Sequence, residues 1–218
     1  MSIGASRLLF IFDLDGTLID SREDLATAVN LTRSSYGLAP LPVETVTRLV
    51  GEGVRLLMTR ALEGAAADLD EAVRRQKAFY LEHLCDRTTL YPGVADGLAA
   101  LGGAGHLLAV ATNKPVEPTE RILRHFGIRE RFARVLGGGS VPNLKPEPDM
   151  ALRIMEELAM PASATWMVGD HVTDLETARR AGIASVFLEG GMGVAGGETH
   201  TRAFPSFAAF ARAFLIAP

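Results

Sequence analysis

The sequence predicts an α/β fold: a doubly wound parallel sheet carrying a small helical domain. The first observation behind this is alternation. Short β-rich apolar runs recur at 8–12, 107–111, 133–136, 165–168 and 184–188, with helix-length amphipathic stretches near 93–103, 115–126, 147–158 and 174–182 between the later ones. Strands and helices alternating in this way build right-handed βαβ units and a parallel sheet covered on both faces. The second observation is one break in that rhythm. From about residue 20 to 87 several helical patterns follow one another without a convincing strand.

The elements can be justified in chain order. Leu8–Phe12 is an apolar strand that runs into Asp13-Leu14-Asp15-Gly16-Thr17-Leu18. Residues two apart on a strand point the same way, so Asp13 and Asp15 face one pocket if the geometry persists through the pair. Asp20 and Ser21 are placed at a hinge, where Ser21 with Asp24 reads as a capping box opening a helix that Gly37 ends. Pro42 suits the first turn of a short second helix, and Gly51-Glu52-Gly53 introduces Val54–Met58. Leu69, Ala72, Val73, Tyr80 and Leu84 trace an apolar face on the last helix of this stretch. Arg87 to Pro92 then reads as the return linker. The expected organisation is a core of residues 1–19 and 88–218, with a helical domain of residues 20–87 inserted after the first strand. One continuous mixed domain is the alternative.

Bulk properties exclude several function classes. With 48% hydrophobic and 22% charged residues, the 218-residue chain is ordinary for a globular protein with a full core. A net charge of −4 with interspersed signs gives no electrostatic case for nucleic acid or an anionic membrane. No stretch approaches the roughly 18 apolar residues of a membrane span, and the N-terminal apolar run is broken by Asp13 as no signal peptide would be. Cys85 stands alone, so no disulfide framework or cysteine metal site is expected, and a reducing, cytoplasmic setting fits. Monomer and homodimer both stay open. Basic residues carry a sharper signal: 22 of them include only three lysines, Lys77, Lys114 and Lys145. Where arginine fills nearly every other basic position, a lysine marks a place that needs a compact point charge.

Ligands of α/β sheets sit beyond the carboxyl ends of the strands. Read as one ring, the residues there are Asp13 and Asp15, then Thr112-Asn113, then Lys145 after a glycine-rich loop, then Gly169-Asp170 and Asp174. Four carboxylates, a hydroxyl, an amide and a lysine suit a hard divalent cation, Mg²⁺ above all, beside a bound oxyanion. Each member has a plainer reading: Thr112-Asn113 as a helix cap, Lys145 as a surface lysine, Asp170 and Asp174 as helix-start acids. None of these explains why all follow successive strands in this order.

These motifs resemble the haloacid-dehalogenase superfamily of phosphotransferases, and the likeness covers essentially the whole chain. Asp13-Leu14-Asp15-Gly16-Thr17 is similar to its first motif, Thr112-Asn113 to its second, Lys145 to its third and Gly169-Asp170…Asp174 to its fourth. The helical insert is similar to the family's cap. The opening Asp-Gly-Thr-Leu-Ile-Asp-Ser, Val50-Gly51-Glu52-Gly53 and Leu90-Tyr91-Pro92-Gly93-Val94 resemble phosphoglycolate-phosphatase-like members. The second acid, Asp15, separates the chain from dehalogenases, which lack it.

The resemblance implies a two-step displacement on a small phosphorylated metabolite. Asp13 attacks phosphorus to give an aspartyl-phosphate, and Asp15 is the general acid and then the base for water. Mg²⁺ is expected on Asp13, the backbone carbonyl of Asp15 and Asp170, with Asp174 in support. Thr112, Asn113 and Lys145 would hold the remaining phosphoryl oxygens. Neighbouring carboxylates are expected to keep a proton on Asp15. Arg55 is the cap candidate for an anionic substrate tail, against the plainer reading of a solvated helix arginine; Lys77 is a lesser one. His171 departs from the family pattern and reads as a bystander. Gly191-Met192-Gly193-Val194-Ala195-Gly196 fits a dinucleotide-binding fingerprint, but no helix pattern or later acid follows, so a flexible loop near the site mouth is the better account. Alternatives that share the ring are a sugar-phosphate phosphatase, a pyrophosphatase and a phosphomutase. Outside enzymes, an inactive binding homologue would use the same fold.

Overall fold

The structure, a computed structural model, describes residues 7–216. Strand β1 (Leu9–Phe12) leads through a tight turn to the two-residue β2 (Ile19–Asp20). Helices α1 (Arg22–Ser34), α2 (Val43–Thr47), α3 (Val54–Ala61) and α4 (Leu69–Glu82) follow before β3 (Thr89–Leu90) returns antiparallel to β2. Then come α5 (Val94–Gly103), β4 (Leu107–Pro115), α6 (Val116–His125), β5 (Arg134–Gly138), α7 (Asp149–Glu157), β6 (Thr165–Gly169), α8 (Val172–Ala181), β7 (Ala184–Leu188), β8 (Arg202–Phe204) and α9 (Phe207–Ile216).

Six strands form one parallel sheet in the order β5-β4-β1-β6-β7-β8. The chain builds outward from β1 to one edge, then crosses back to build the other. The switch point therefore lies at β1, where ligands of such sheets bind. Burial on both faces explains why β1 reads as a continuous apolar run. Leu9 and Ile11 pack on one side with Met150, Ile154 and Met167, while Phe10 and Phe12 pack on the other with Leu98, Ile122 and Phe210. The helical segment between β2 and β3 has an apolar cluster of its own, including Val29, Val46, Leu57 and Met58.

Three features depart from the sequence reading. Ser21 precedes α1 but makes no capping hydrogen bond, and its hydroxyl instead donates to Asp15 Oδ1 at 2.5 Å. Its expected partner Asp24 is buried and accepts from the backbone N–H groups of Arg87 and Thr88 and from the Thr88 hydroxyl. That carboxylate thus ties the start of the helical segment to its exit. Next, the strand expected at 107–111 runs on to Pro115, with a register shift against β5 between Ala111 and Pro115. Finally, β8 and α9 have no counterpart in the sequence reading. Phe207, Phe210 and Phe214 of α9 recur at helical spacing, and Phe210 and Phe214 pack edge-on against Phe10 and tilted against each other.

Candidate active site

The site begins where β1 stops. Asp13 N donates to Val168 O on β6 and so still belongs to the sheet, after which the chain turns on Leu14 O. Gly16 adopts φ +85°, and a Cβ there would fall 2.1 Å from Asp170 Oδ2. Only glycine lets β1's turn approach the β6 acid this closely.

Asp13, Asp170 and Asp174 each offer a carboxylate oxygen within 4.8 Å of the others, and all three are buried. Lys145 Nζ is clamped between two of them, 2.6 Å from Asp174 Oδ1 and 2.9 Å from Asp13 Oδ1. Burial works against the lysine's charge, but the Asp13 and Asp174 carboxylates outweigh it and hold its pKa above the ordinary range. Burial, reinforced by Asp174 and Asp13, pushes Asp170 up to about 7. Burial raises Asp13 too, against the pull of Lys145. Three acids and one ammonium leave the cluster short of positive charge. Asp13 Oδ1 also lacks a properly aligned hydrogen bond, although the Lys145 ammonium is close. A hard divalent cation with oxygen ligands fits both deficits.

Asp170 is the most firmly held of the three. Its Oδ1 accepts from Thr17 Oγ1, and its Oδ2 accepts the backbone N–H groups of Met192 and Gly193, both at 2.8 Å. The glycine-rich loop after β7 is therefore a backbone clamp on a site acid. A Cβ on Gly191 would lie 2.3 Å from Asp170 Cβ, so the spacing that mimicked a nucleotide fingerprint serves close approach to Asp170. The expectation of a flexible loop at the mouth gives way to one hydrogen-bonded into the centre.

Asp15 stands apart from the cluster. Its carboxylate takes both oxygens to Lys114 Nζ, at 2.7 and 3.0 Å, as well as the Ser21 hydroxyl. The neighbours expected from the sequence were carboxylates; those found are an ammonium and a hydroxyl. Lys114 also lies 4.4 Å from the centroid of the Tyr80 ring on α4. Among the second-motif residues, Thr112 is buried beside the acids, and Asn113 spends its side chain on positioning. The Asn113 amide donates to Lys145 O and Gly51 O and accepts from Lys145 N, so it pins the lysine loop and the helical segment together. Its side chain is thus hydrogen-bonded to backbone, while the residue also lines the cavity.

Asp13, Asp15, Thr112, Asn113 and Lys114 line one cavity of about 160 Å³, with Gln76, Lys77 and Tyr80 opposite on α4. Arg55 is not among the lining residues: it projects into solvent and pairs with Asp70 at 2.6 Å. The His171 ring accepts from Thr173 N to cap α8, while Asp174 Oδ2 accepts the His171 N–H in return. His171 also packs against Gly51, where a Cβ would come within 3.1 Å of its ring. Lys114 is the residue that motif reading missed; the scarcity of lysine was the signal that could have found it.

The family model for haloacid dehalogenase-like hydrolases matches residues 10–188, from β1 through β7. The chain belongs to the haloacid dehalogenase-like hydrolases. Within that family it is 38% identical over 192 residues to a phosphoglycolate phosphatase of Psychrobacter arcticus, covering 84% of each chain. It superposes with a TM-score of 0.91 on the crystal structure of a predicted phosphoglycolate phosphatase from Haemophilus somnus, at 31% identity and covering 96% of this chain and 99% of the other. The structure of CbbY from Rhodobacter sphaeroides in complex with phosphate gives a TM-score of 0.80 at 27% identity, over 93% and 95%. The resemblance read from the motifs is thereby established, and this haloacid dehalogenase-like enzyme is a phosphoric monoester hydrolase. No helix among the described residues is long and apolar enough to cross a membrane.

Proposed function

We propose that the enzyme is a Mg²⁺-dependent phosphatase that hydrolyses a small phosphate monoester through an aspartyl-phosphate on Asp13, with phosphoglycolate the leading substrate. The observation that carries this reading is the pairing of Asp13 with the buried Lys145 beside a three-carboxylate cluster. Asp13 and Asp170, supported by Asp174 and the Asp15 carbonyl, are the residues that would hold the cation. When bound, Mg²⁺ offsets the negative charge of the carboxylates and the phosphoryl oxygens.

The chain's own groups account for the steps. Asp13 Oδ attacks phosphorus, and the bond to the leaving oxygen breaks as that oxygen takes the Asp15 proton. Water then attacks the aspartyl-phosphate, giving its proton to Asp15 and releasing phosphate and the free Asp13 carboxylate. Thr112, Asn113 and Lys145 hold the transferring oxygens in this reading. Lys114 and Ser21 fix the Asp15 carboxyl toward the cavity. Residues 20–87 act as a cap over a core of 1–19 and 88–218, excluding water from the intermediate.

A sugar phosphate is the second reading, because a CbbY variant similar to this chain is described in complex with xylulose-(1,5)bisphosphate. A panel of phosphate esters assayed with an Asp13→Asn blank decides between them. Phosphoglycolate is expected to give the highest kcat/KM, EDTA to abolish turnover and Mg²⁺ to restore it. Preference for a sugar phosphate would replace the substrate, and activity indifferent to chelation would remove the cation.

A further inference from the structure

All three lysines of this chain converge on one site. Lys145 touches Asp13, Lys114 touches Asp15, and Lys77 lines the cavity from the opposite wall. Among the described residues, none lining that cavity is an arginine. In a chain whose other basic positions are all arginine, that distribution assigns the lysines to chemistry rather than to surface charge.

Two of the three have evident partners in the catalytic machinery. Lys77 has a different setting. Two acids earlier on α4 are engaged, Asp70 with Arg55 and Glu71 with Arg74 and Arg75, and Glu117, the acid from α6 that lines the same cavity, pairs with Arg121. Its α4 neighbour Gln76 is buried and lines the same cavity, one wall away from the nucleophile. The remainder of that wall is mainly apolar, built from residues such as Leu57 and Leu81, with Tyr80 the other polar side chain on it. An ammonium and an amide side by side on a mainly apolar wall form a small polar spot facing the place where the leaving group must sit.

We propose that Lys77, with the Gln76 amide beside it, reads a second anionic group on the substrate: a carboxylate borne by the leaving alcohol. The proposal rests on the phosphatase reading and narrows it to esters of short hydroxy acids. A lysine suits the task because its compact ammonium can reach a single carboxylate in a cavity of about 160 Å³. Recognition by Lys77 also explains how α4 can select substrates while Arg55, on α3, faces solvent.

The test compares phosphoglycolate with ethyl phosphate, an ester of the same length that carries a methyl group in place of the carboxylate. The native chain is expected to favour phosphoglycolate at least tenfold in kcat/KM. In Lys77→Met that preference falls about ten- to a hundredfold, mainly through KM, as expected for loss of a hydrogen bond to a charged group. Lys77→Arg, which keeps the charge, recovers part of it. Because Lys77 is exposed on its helix, these changes leave the packing intact, and unchanged melting curves check this. A native chain that hydrolyses both esters equally, or a preference unaltered in Lys77→Met, overturns the Lys77 assignment and leaves the phosphatase reading standing. A native chain that hydrolyses neither ester, while it hydrolyses a sugar phosphate, overturns the Lys77 assignment together with phosphoglycolate as the substrate; one that hydrolyses none of the three overturns the phosphatase reading as well.

Discussion

At the scale of single residues, the site is organised by an imbalance of charge. Asp13, Asp170 and Asp174 crowd together around one ammonium, and burial penalises the Asp13 and Asp170 carboxylates further. Asp170, pushed up to about 7 from an ordinary 3.8, makes this measurable. Its folded-state pKa lies above the unfolded value, so the folded chain binds the extra proton and stability falls as pH rises from about 4 toward 7. We expect the melting temperature of the metal-free protein to drop across that window and millimolar Mg²⁺ to recover most of the loss at pH 7. At pH 8 without metal, Asp170→Asn is expected to melt a few degrees higher than the native chain while its turnover is abolished. A lower melting temperature for Asp170→Asn would show that the carboxylate charge is balanced by something other than a cation.

At the scale of elements, the same type of residue is used in the opposite way. Asp24 is also buried, yet it is matched by hydrogen-bond donors from Arg87 and Thr88 and joins the two ends of the helical segment. Asp24→Ala leaves those N–H groups buried without partners, which costs about 3 kcal/mol on the scale of hydrogen bonds to charged groups. Urea unfolding should reveal that loss; a change below about 1 kcal/mol would mean the clasp carries no weight. The residues involved also show where sequence reading stops. Ser21 and Asp24 are three apart, a spacing that local rules assign to a capping box, and nothing local says that each has a better partner far along the chain. The same limit applies to Arg55, whose surface partner Asp70 lies on another helix. By contrast, Asp13, Lys145 and Asp170 were legible because each follows a strand, and strands of one parallel sheet end on one side.

At the scale of the whole molecule, the sheet order explains why one stretch of sequence could say so much. With β1 central, its carboxyl end meets the loops after β4, β5 and β6, so Asp13 becomes the point to which second-, third- and fourth-motif residues converge. The fold class and the five long strands nearest that point were readable from alternation. The edge strand β8 is not, since two exposed residues and one half-buried one leave little pattern, and α9 shows only phenylalanines repeating at helical spacing. The glycine loop between β7 and β8 was read for its spacing, while its meaning depends on a contact with Asp170 that only the folded chain supplies. The central claim is that Asp13 itself receives the phosphoryl group. Rapid-quench experiments with phosphorus-labelled phosphoglycolate test it most directly. The account predicts label bound to the native protein within the first turnover, no label on Asp13→Asn, and turnover of that variant lower by at least ~10³-fold. Undiminished turnover without labelled protein, or more than a tenth of the activity remaining in Asp13→Asn, would contradict it.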